Sequence, residues 1–533
     1  MPGRGFPRAA RLTERYAVAG AVALALIFFV QGLLASRHTS LTWDEPSYIS
    51  SGYMLLTGRD RSLNPSHPPL MQALEALPLL FLDVRPPTRG IGDLLDSKRP
   101  PIELGYNFLF EVGNDPRRLA FWARLPVLLL GSSLVLAVFL WGRSLYGPIL
   151  ALLATLTAAV SPDLLAHGQL ATEDLGCAAF MFFAVWSFWR GMKRQTLGAW
   201  SVCGLMTGLA LLSKFTAVLL GPIYILLGGG LWLVDRRSAP SRRAVLRAVA
   251  VAVSVTAAVV CAGYRTWDLS AYARAMGAIY SDMNPNYHFY LFGTVSERPF
   301  WYYALAVFLV KVPVTTTALI CIAAIRSVGD TRHREALLVL LVPAAVIIAA
   351  SFADRYNLGL RRILPAFPFL MLFTAQAAAG LGGRGLLLAA ALFGVGALEA
   401  VQAYPHHLSF LNRAAGGAER GPYLLDDSNI DWGQDLPALA EWQCAHPEAA
   451  PLKLYYFGNA EPAAYGVRAV PFEPGEHLAP RSGYYAVSVH GLVSFRKERH
   501  QTGADIDWLA KYRPIARAGY SISIYKFPES AGR

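Results

Sequence analysis

Apolar runs recur along the chain with short polar stretches between them, and about twenty apolar residues suffice to cross a hydrocarbon core ~30 Å thick. The pattern predicts membrane-spanning helices near 16–36, 119–141, 147–161, 174–191, 197–212, 215–234, 245–263, 300–325, 335–351, 363–381 and 385–403, about eleven in all. The first run is long for a signal peptide and no small-residue cleavage site follows it, so it is read as a helix. Two stretches break the rhythm. Residues 37–116 form a polar loop far longer than an ordinary interhelical connection. Within it, 69–82 has the amphipathic pattern of a helix lying in the membrane interface, and 85–116, rich in Pro, Gly and Asp, reads as a surface loop. After residue 403 the period changes to alternation. Lys453-Leu454-Tyr455-Tyr456-Phe457 and Tyr484-Tyr485-Ala486-Val487-Ser488-Val489 are strand patterns, and 436–443 is helical. These predict an α+β domain over 404–533, large enough for its own core. No sequence repeat relates the two halves of the membrane region.

Composition agrees with many spans rather than one anchor. The 533 residues are 54% hydrophobic and only 16% charged, against roughly 25% charged in soluble domains. The net charge of +12 would suggest nucleic acid in a soluble protein, but here the basic residues lie between apolar runs. Arg4, Arg8, Arg11, Arg15, the Lys193-Arg194 pair, Arg236, Arg237, Arg242, Arg243, Arg247, Arg326, Arg332 and Arg334 read as positive-inside loops. That asymmetry predicts a multi-pass protein of the inner (plasma) membrane with its amino terminus in the cytoplasm. An odd number of spans then puts the first loop, 161–174, 264–299, 352–362 and the C-terminal domain outside. Of the cysteines at 177, 203, 261, 321 and 444, the first four fall in apolar runs, and no disulfide framework is visible.

Chemistry-bearing residues gather on that outer side. Trp43-Asp44-Glu45-Pro46 opens the first loop. Adjacent side chains point about 100° apart on a helix and to opposite faces of a strand, so the two carboxylates cannot share one task. One is expected to face a reacting atom while the other braces the loop. His67 sits in a proline-stiffened turn, able to hydrogen-bond a phosphate or sugar or simply to cap the helix that follows. Glu173 and Asp174 begin a span, where the helix dipole alone favours carboxylates. A second acidic pair on the same side can also hold a divalent metal through oxygen ligands, and a metal and a non-metal role both stay open. Lys214 stands between two apolar runs and Lys311 lies deep in another, a costly place for an ammonium without an anionic partner. Arg361 and Arg362 lie at an outer helix edge, where the positive-inside bias disfavours arginine, and a guanidinium fork suits a phosphate.

Together Trp43-Asp44-Glu45, His67-Pro68-Pro69-Leu70, Glu173-Asp174, the 296–313 stretch with Lys311-Val312-Pro313, and Arg361 with Leu364-Pro365 and Pro368 resemble the bacterial phospholipid-carrier-dependent glycosyltransferases. These are the GT-C class relatives of protein O-mannosyltransferases and aminoarabinose transferases. The likeness spans roughly 15–403. It implies an all-α polytopic GT-C bundle that transfers a sugar, with inversion, from a polyprenyl-phosphate donor to a protein, lipid or glycan acceptor on the outer membrane face. It also implies a catalytic or acceptor-binding carboxylate at Asp44, beside Glu45, and a donor-phosphate contact at Arg361. Relatives often have Arg-Tyr where this chain has Arg361-Arg362, so that contact is expected to be shared. Lys311, Lys214 and His67 are further candidates for the phosphate. The tail segment Asp426-Asp427-Ser428-Asn429-Ile430-Asp431-Trp432-Gly433-Gln434-Asp435 resembles a recurring feature of such bacterial proteins and offers a polar surface to an acceptor.

The chemistry is consistent with the resemblance. A sugar on a phosphate already carries a good leaving group, so one base for the acceptor hydroxyl and cations for the departing phosphate suffice. A polytopic transporter or lipid flippase is the competing class, but transporters commonly show internal repeats and midplane sites. A membrane scaffold or sensor whose outward tail binds a ligand is the third.

Overall fold

The computed structural model describes residues 8–58, 64, 67–88, 100–234, 241–268, 270–281 and 287–528. Arg4, Pro65, Ser66, Arg236, Arg237 and residues 89–99 lie outside them. The membrane region runs α1 (Arg8–Ser36), α2 (Glu45–Thr57), α3 (Pro69–Ala76), α4 (Pro100–Tyr106), α5 (Pro116–Tyr146), α6 (Pro148–Ala159), α7 (Pro162–Gly168), α8 (Glu173–Arg194), α9 (Leu197–Ser213), α10 (Leu220–Val234) and α11 (Arg242–Tyr264). It continues through α12 (Ser270–Ser281), a hairpin of β1 (Phe289–Leu291) and β2 (Thr294–Ser296), α13 (Tyr303–Lys311), α14 (Val314–Ser327), α15 (Arg334–Ser351), α16 (Phe367–Phe373) and α17 (Gly383–Val401). Helix α8 is the axis of the bundle, packed on α5, α9, α10 and α16. Beside it Trp141, Phe182 and Phe369 form an edge-packed aromatic core, with the Phe182 ring 5.1 Å from each of the other two.

Among the described residues seven helices are long and apolar enough to cross a membrane, or up to nine if two bent pairs each count as one span. Eleven straight spans are not what forms, and the reasons are local. Helix α9 has 17 residues, about 26 Å at 1.5 Å per residue. The 147–161 run bends by 59° where Pro162 starts α7, and the 300–325 run bends by 116° at Pro313. The 363–381 run becomes a 3-10 turn (Leu360–Ala366), the short α16 and a second 3-10 turn (Thr374–Ala377), because Pro365 and Pro368 each withdraw a backbone donor. Irregular backbone at membrane depth survives only where protein or a polar cavity satisfies it. These three breaks carry Asp163, Lys311 and Arg361.

The first loop folds onto the bundle. A side chain at Gly52 would place its Cβ 1.9 Å from the Gln72 carbonyl oxygen, so only glycine lets α3 cross α2 this closely. Residues 100–111, expected on the surface, instead bury Leu104, Phe108 and Leu109. Their i, i+4, i+5 spacing forms an apolar stripe on α4 and the π-turn after it, and that stripe outweighs the loop-like composition.

After residue 403 the chain forms α18 (Gly421–Leu424), α19 (Leu436–Ala445), β3 (Leu452–Tyr455), β4 (Ala469–Pro471), β5 (Gly483–Ser488), α20 (Val489–Thr502), α21 (Trp508–Lys511), β6 (Ala516–Ala518) and β7 (Ile522–Phe527). The α+β expectation and both alternating strands are borne out. The five-stranded sheet has the order β4-β3-β5-β7-β6, with β3 parallel to both β4 and β5 and β7 antiparallel to both neighbours. Before the sheet begins, the tail crosses back over the bundle. Ser40 N donates to Gln434 O at 2.8 Å and Trp43 N to Trp432 O at 2.9 Å, so 40–43 and 432–434 run together.

Candidate active site

The acidic pair divides its work as its geometry requires. Asp44 is the N-cap of α2 in a helical conformation (φ −86°, ψ −27°) and its side chain makes no cap bond, so the carboxylate is turned away from its own helix. Glu45, one residue on, is fully buried. Arg124 of α5 donates to it twice, Nε to Oε1 and Nη2 to Oε2, each at 2.7 Å. Thr42 N and Ala171 N add bonds of 2.7 and 2.8 Å. The remaining Arg124 donors hold the carbonyls of Ser36 and Ser40 at 2.9 and 2.8 Å. One buried bidentate pair thus ties the end of α1, the start of α2, α5 and the entry to α8. Arg124 is legible in the sequence as an arginine inside the 119–141 run, subject to the same cost as Lys311.

Asp44 faces Arg361. Nη1 of Arg361 donates to Asp44 Oδ2 at 3.1 Å and lies 4.0 Å from Asp174 Oδ2. Nε donates to the Leu358 carbonyl at 3.1 Å. The indole of Trp432 covers the guanidinium, ring centre to Cζ 4.4 Å. Burial pushes the Asp44 carboxyl above the ordinary aspartate range, against the pull of Arg361 and His67. Burial works against the charge on Arg361, but Asp174, Asp44 and Asp427 outweigh it and hold the guanidinium above its usual value. With 25% of its side chain open, Asp44 remains within reach of a ligand.

Behind this pair lies a second layer. Glu173 and Asp174 are buried at the start of α8. The Lys214 ammonium bridges them, 3.1 Å from Glu173 Oε1 and 2.6 Å from Asp174 Oδ1. His67 spans from Glu173, with Nδ1 2.7 Å from Oε2, to the Tyr48 hydroxyl, 3.1 Å from Nε2. His167 Nδ1 approaches Asp174 Oδ2 to 3.9 Å. For a divalent metal the donor set fits poorly. A lysine ammonium occupies the space between the two carboxylates, and among the described residues no three His, Cys, Asp or Glu side chains are grouped as ligands.

Two of the cations expected at the phosphate are engaged elsewhere. Lys311, buried at the bend after α13, donates to the carbonyls of Leu408 and Asn429 at 2.7 and 2.6 Å and lies 3.9 Å from Asp163. Arg362 forms a bidentate pair with Asp354 at 2.7 and 2.8 Å. Neither has the geometry of a free phosphate fork. The residue that sequence reasoning did not bring to Arg361 is Trp432, since nothing in the tail's pattern tells where it folds back.

A cavity of about 1120 Å³ opens among α8, α9, α10 and α11. Its walls are apolar, including Phe188, Trp200, Tyr224 and Val253. Leu211 and Ala217, which bracket Lys214 in sequence, line it as well.

The described residues thus form a multi-pass helical bundle with two bent helix pairs, a folded first loop and an appended sheet domain. The comparisons with known proteins agree. ArnT from Cupriavidus metallidurans in the apo state matches over 95% of this chain and 96% of that one, at 12% identity and a TM-score of 0.53. The Archaeoglobus fulgidus oligosaccharyltransferase, tethered through a disulfide bond to an acceptor peptide containing the NVT sequon, matches over 94% of this chain and 72% of that one, at 11% identity and a TM-score of 0.53. Residues 116–262 match the family model of dolichyl-phosphate-mannose-protein mannosyltransferases. Comparison with curated protein sequences gives no match. The resemblance to GT-C glycosyltransferases is therefore borne out, and the identities are at a level that carries the fold.

Proposed function

We propose that the protein is a glycosyltransferase that moves a sugar from a polyprenyl-phosphate donor to an acceptor hydroxyl on the outer face of the membrane. The observation that carries this is the contact between Asp44 and Arg361, 317 positions apart, in a bundle of the GT-C kind that also holds an apolar groove. In this reading Arg361 meets the donor phosphate and Asp44 serves as base. The acceptor oxygen attacks the anomeric carbon from the face opposite the phosphate and gives its proton to Asp44. The bond from the anomeric carbon to the phosphate oxygen breaks, and the electron pair leaves with a phosphate held against the guanidinium. The configuration inverts. A carboxylate lifted above its usual range is the better proton acceptor, and a guanidinium fixed in advance stabilises the leaving charge without reorganising. Lys214 and His67 set the charge of the wall behind Asp44 through Glu173 and Asp174.

The groove among α8 to α11 supports a lipid-linked donor, since its walls suit a prenyl chain better than a soluble sugar nucleotide. The cytoplasmic amino terminus and outward tail belong to the same proposal. The test is transfer of radiolabel from polyprenyl-phosphate-linked sugars to an extractable acceptor by membranes holding the protein. Label that moves with the wild-type chain and not with Asp44→Asn supports the proposal. Vesicle uptake of an intact solute or lipid with no glycosidic product refutes it in favour of a transporter.

A further inference from the structure

The segment Asp426–Asp435 is the sequence feature that this function does not absorb, and every residue along it is buried. Asp426 accepts from Lys497 Nζ at 2.7 Å and lies 2.8 Å from His490 Nδ1, both on α20 of the sheet domain. Asp431 accepts from the backbone N–H of His490 at 2.9 Å, and Asp435 from those of Tyr520 and Ser521 at 3.1 and 3.0 Å. The segment is thus anchored on one side to the sheet domain. Its other side reaches the turn that bears Arg361. Asn429 Oδ1 accepts from Leu360 N at 3.0 Å, and Ser428 Oγ donates to the Leu358 carbonyl at 3.1 Å. Between them Gly359 stands at φ +92°, and a Cβ there would fall 2.6 Å from Ser428 Oγ. Asp427 adopts φ +56°, a left-handed conformation that costs a non-glycine residue energy and persists only where its surroundings impose it. The Trp432 ring then covers the Arg361 guanidinium, its centre 4.4 Å from Cζ.

We propose that the C-terminal domain is a positioning element for Arg361: through Trp432, Asn429 and Ser428 it holds the guanidinium in one orientation, against Asp44. Arginine has many rotamers of similar energy, and an arginine that must meet a phosphate gains affinity when those are removed beforehand. Here the backbone of the turn is clamped by Asn429 and Ser428, the Nε by Leu358, and one face by the indole. The remaining edge points to Asp44 and Asp174. The sheet domain is therefore tied to the chemistry of the membrane bundle without supplying a group that reacts. This inference rests on Arg361 being the donor-phosphate residue.

The experiment is a double-mutant cycle on the purified full-length protein in lipid nanodiscs, with undecaprenyl phosphate as the probe and thermal unfolding as a second readout. Arg361→Ala should weaken binding of the probe. Trp432→Leu, which keeps an apolar side chain but removes the ring face, should weaken it about tenfold, in line with a desolvated cation–π contact. Trp432→Phe, which keeps a face, should restore most of it, and Trp432→Leu should add nothing once Arg361 is Ala. Equal effects of Trp432→Leu with and without Arg361 would make Trp432 an ordinary packing residue and overturn the inference. If Arg361→Ala leaves probe binding unchanged, the phosphate role of Arg361 falls instead. The unfolding cycle then decides the positioning by itself: coupling between positions 361 and 432 sustains it, and strict additivity overturns it.

Discussion

Glu45→Gln should cost the protein much of its stability, although the substitution changes a single atom. The carboxylate is surrounded by donors. Oε1 accepts from Arg124 Nε and Ala171 N, and Oε2 from Arg124 Nη2, Thr42 N and Thr42 Oγ1. An amide turned either way sets its NH₂ against at least two of these donors and leaves the Arg124 charge, 1% exposed, without its counter-ion. Removing one partner of a buried pair costs about 3–5 kcal/mol, a large share of the roughly 5–15 kcal/mol that holds a domain together. Asp44→Asn, at a partly exposed contact, should cost about 1 kcal/mol or less. Melting followed by light scattering on detergent-purified protein reads the difference directly. The combined Glu45→Leu, Arg124→Leu change removes both charges and should recover part of the loss. Recovery stays incomplete because Thr42 N, Ala171 N and the carbonyls of Ser36 and Ser40 lose their partners. A Glu45→Gln protein that melts like the wild type but transfers no sugar would refute the division of labour and move the base from Asp44 to Glu45.

Asp44→Asn should lower turnover by about 10²–10⁴-fold while the donor still binds, and near-normal transfer would remove Asp44 from the chemistry. Because the base must be ionised, turnover at saturating donor should rise with pH through a limb above the ordinary aspartate range. Arg361→Gln, which removes a charge that pulls Asp44 down, should move that limb higher still, and a limb at the usual aspartate position in both proteins would contradict the assignment. Gly229→Phe projects a ring into the groove from a position where a Cβ meets nothing within 4 Å. The donor KM should rise with kcat unchanged, and an unchanged KM would exclude the groove as the prenyl site. Lys311→Met strands the carbonyls of Leu408 and Asn429, so the melting temperature should fall, with undecaprenyl phosphate affinity changed no more than loosening Asn429 changes it. The reverse pattern would return Lys311 to the phosphate.

Much of this was legible in the sequence because it depends on periodicity and on the cost of charge in hydrocarbon. The long apolar runs, the two strand patterns of the tail and the helix at 436–443 all follow from local alternation. Asp44, Glu173, Asp174, Lys214, His67 and Arg361 could each be singled out as polar groups at helix ends, and the fold gathers them into one cluster. What local pattern does not show is equally physical. Proline breaks at 162, 313, 365 and 368 turn apolar runs into bent or 3-10 segments, and hydropathy does not register a bend. Lys311 and Arg362 carry the expected charge, but their partners, the carbonyls of Leu408 and Asn429 and the Asp354 carboxylate, are set by tertiary contacts. The Trp432–Arg361 stack depends on a tail folding back over the bundle, and no local pattern encodes that return.

The placement of two adjacent carboxylates explains why the loop begins as it does. An N-cap aspartate ordinarily bonds its own helix's free N–H groups. Asp44 instead takes helical backbone angles, which turn its side chain outward, and Pro46 removes one of the N–H groups that a cap would have served. That arrangement alone would leave the start of α2 loose. Glu45 compensates by reaching back to Thr42 N and across to Arg124 and Ala171 N, so the rigidity lost at the cap is restored one residue on. The price is a buried charge that depends on its partner Arg124. The gain is a carboxylate fixed in place yet free to titrate, 3.1 Å from the only strong donor to it, Arg361, among the described residues. A single acidic residue could not satisfy both demands, since the bonds that would immobilise it would also hold its pKa down.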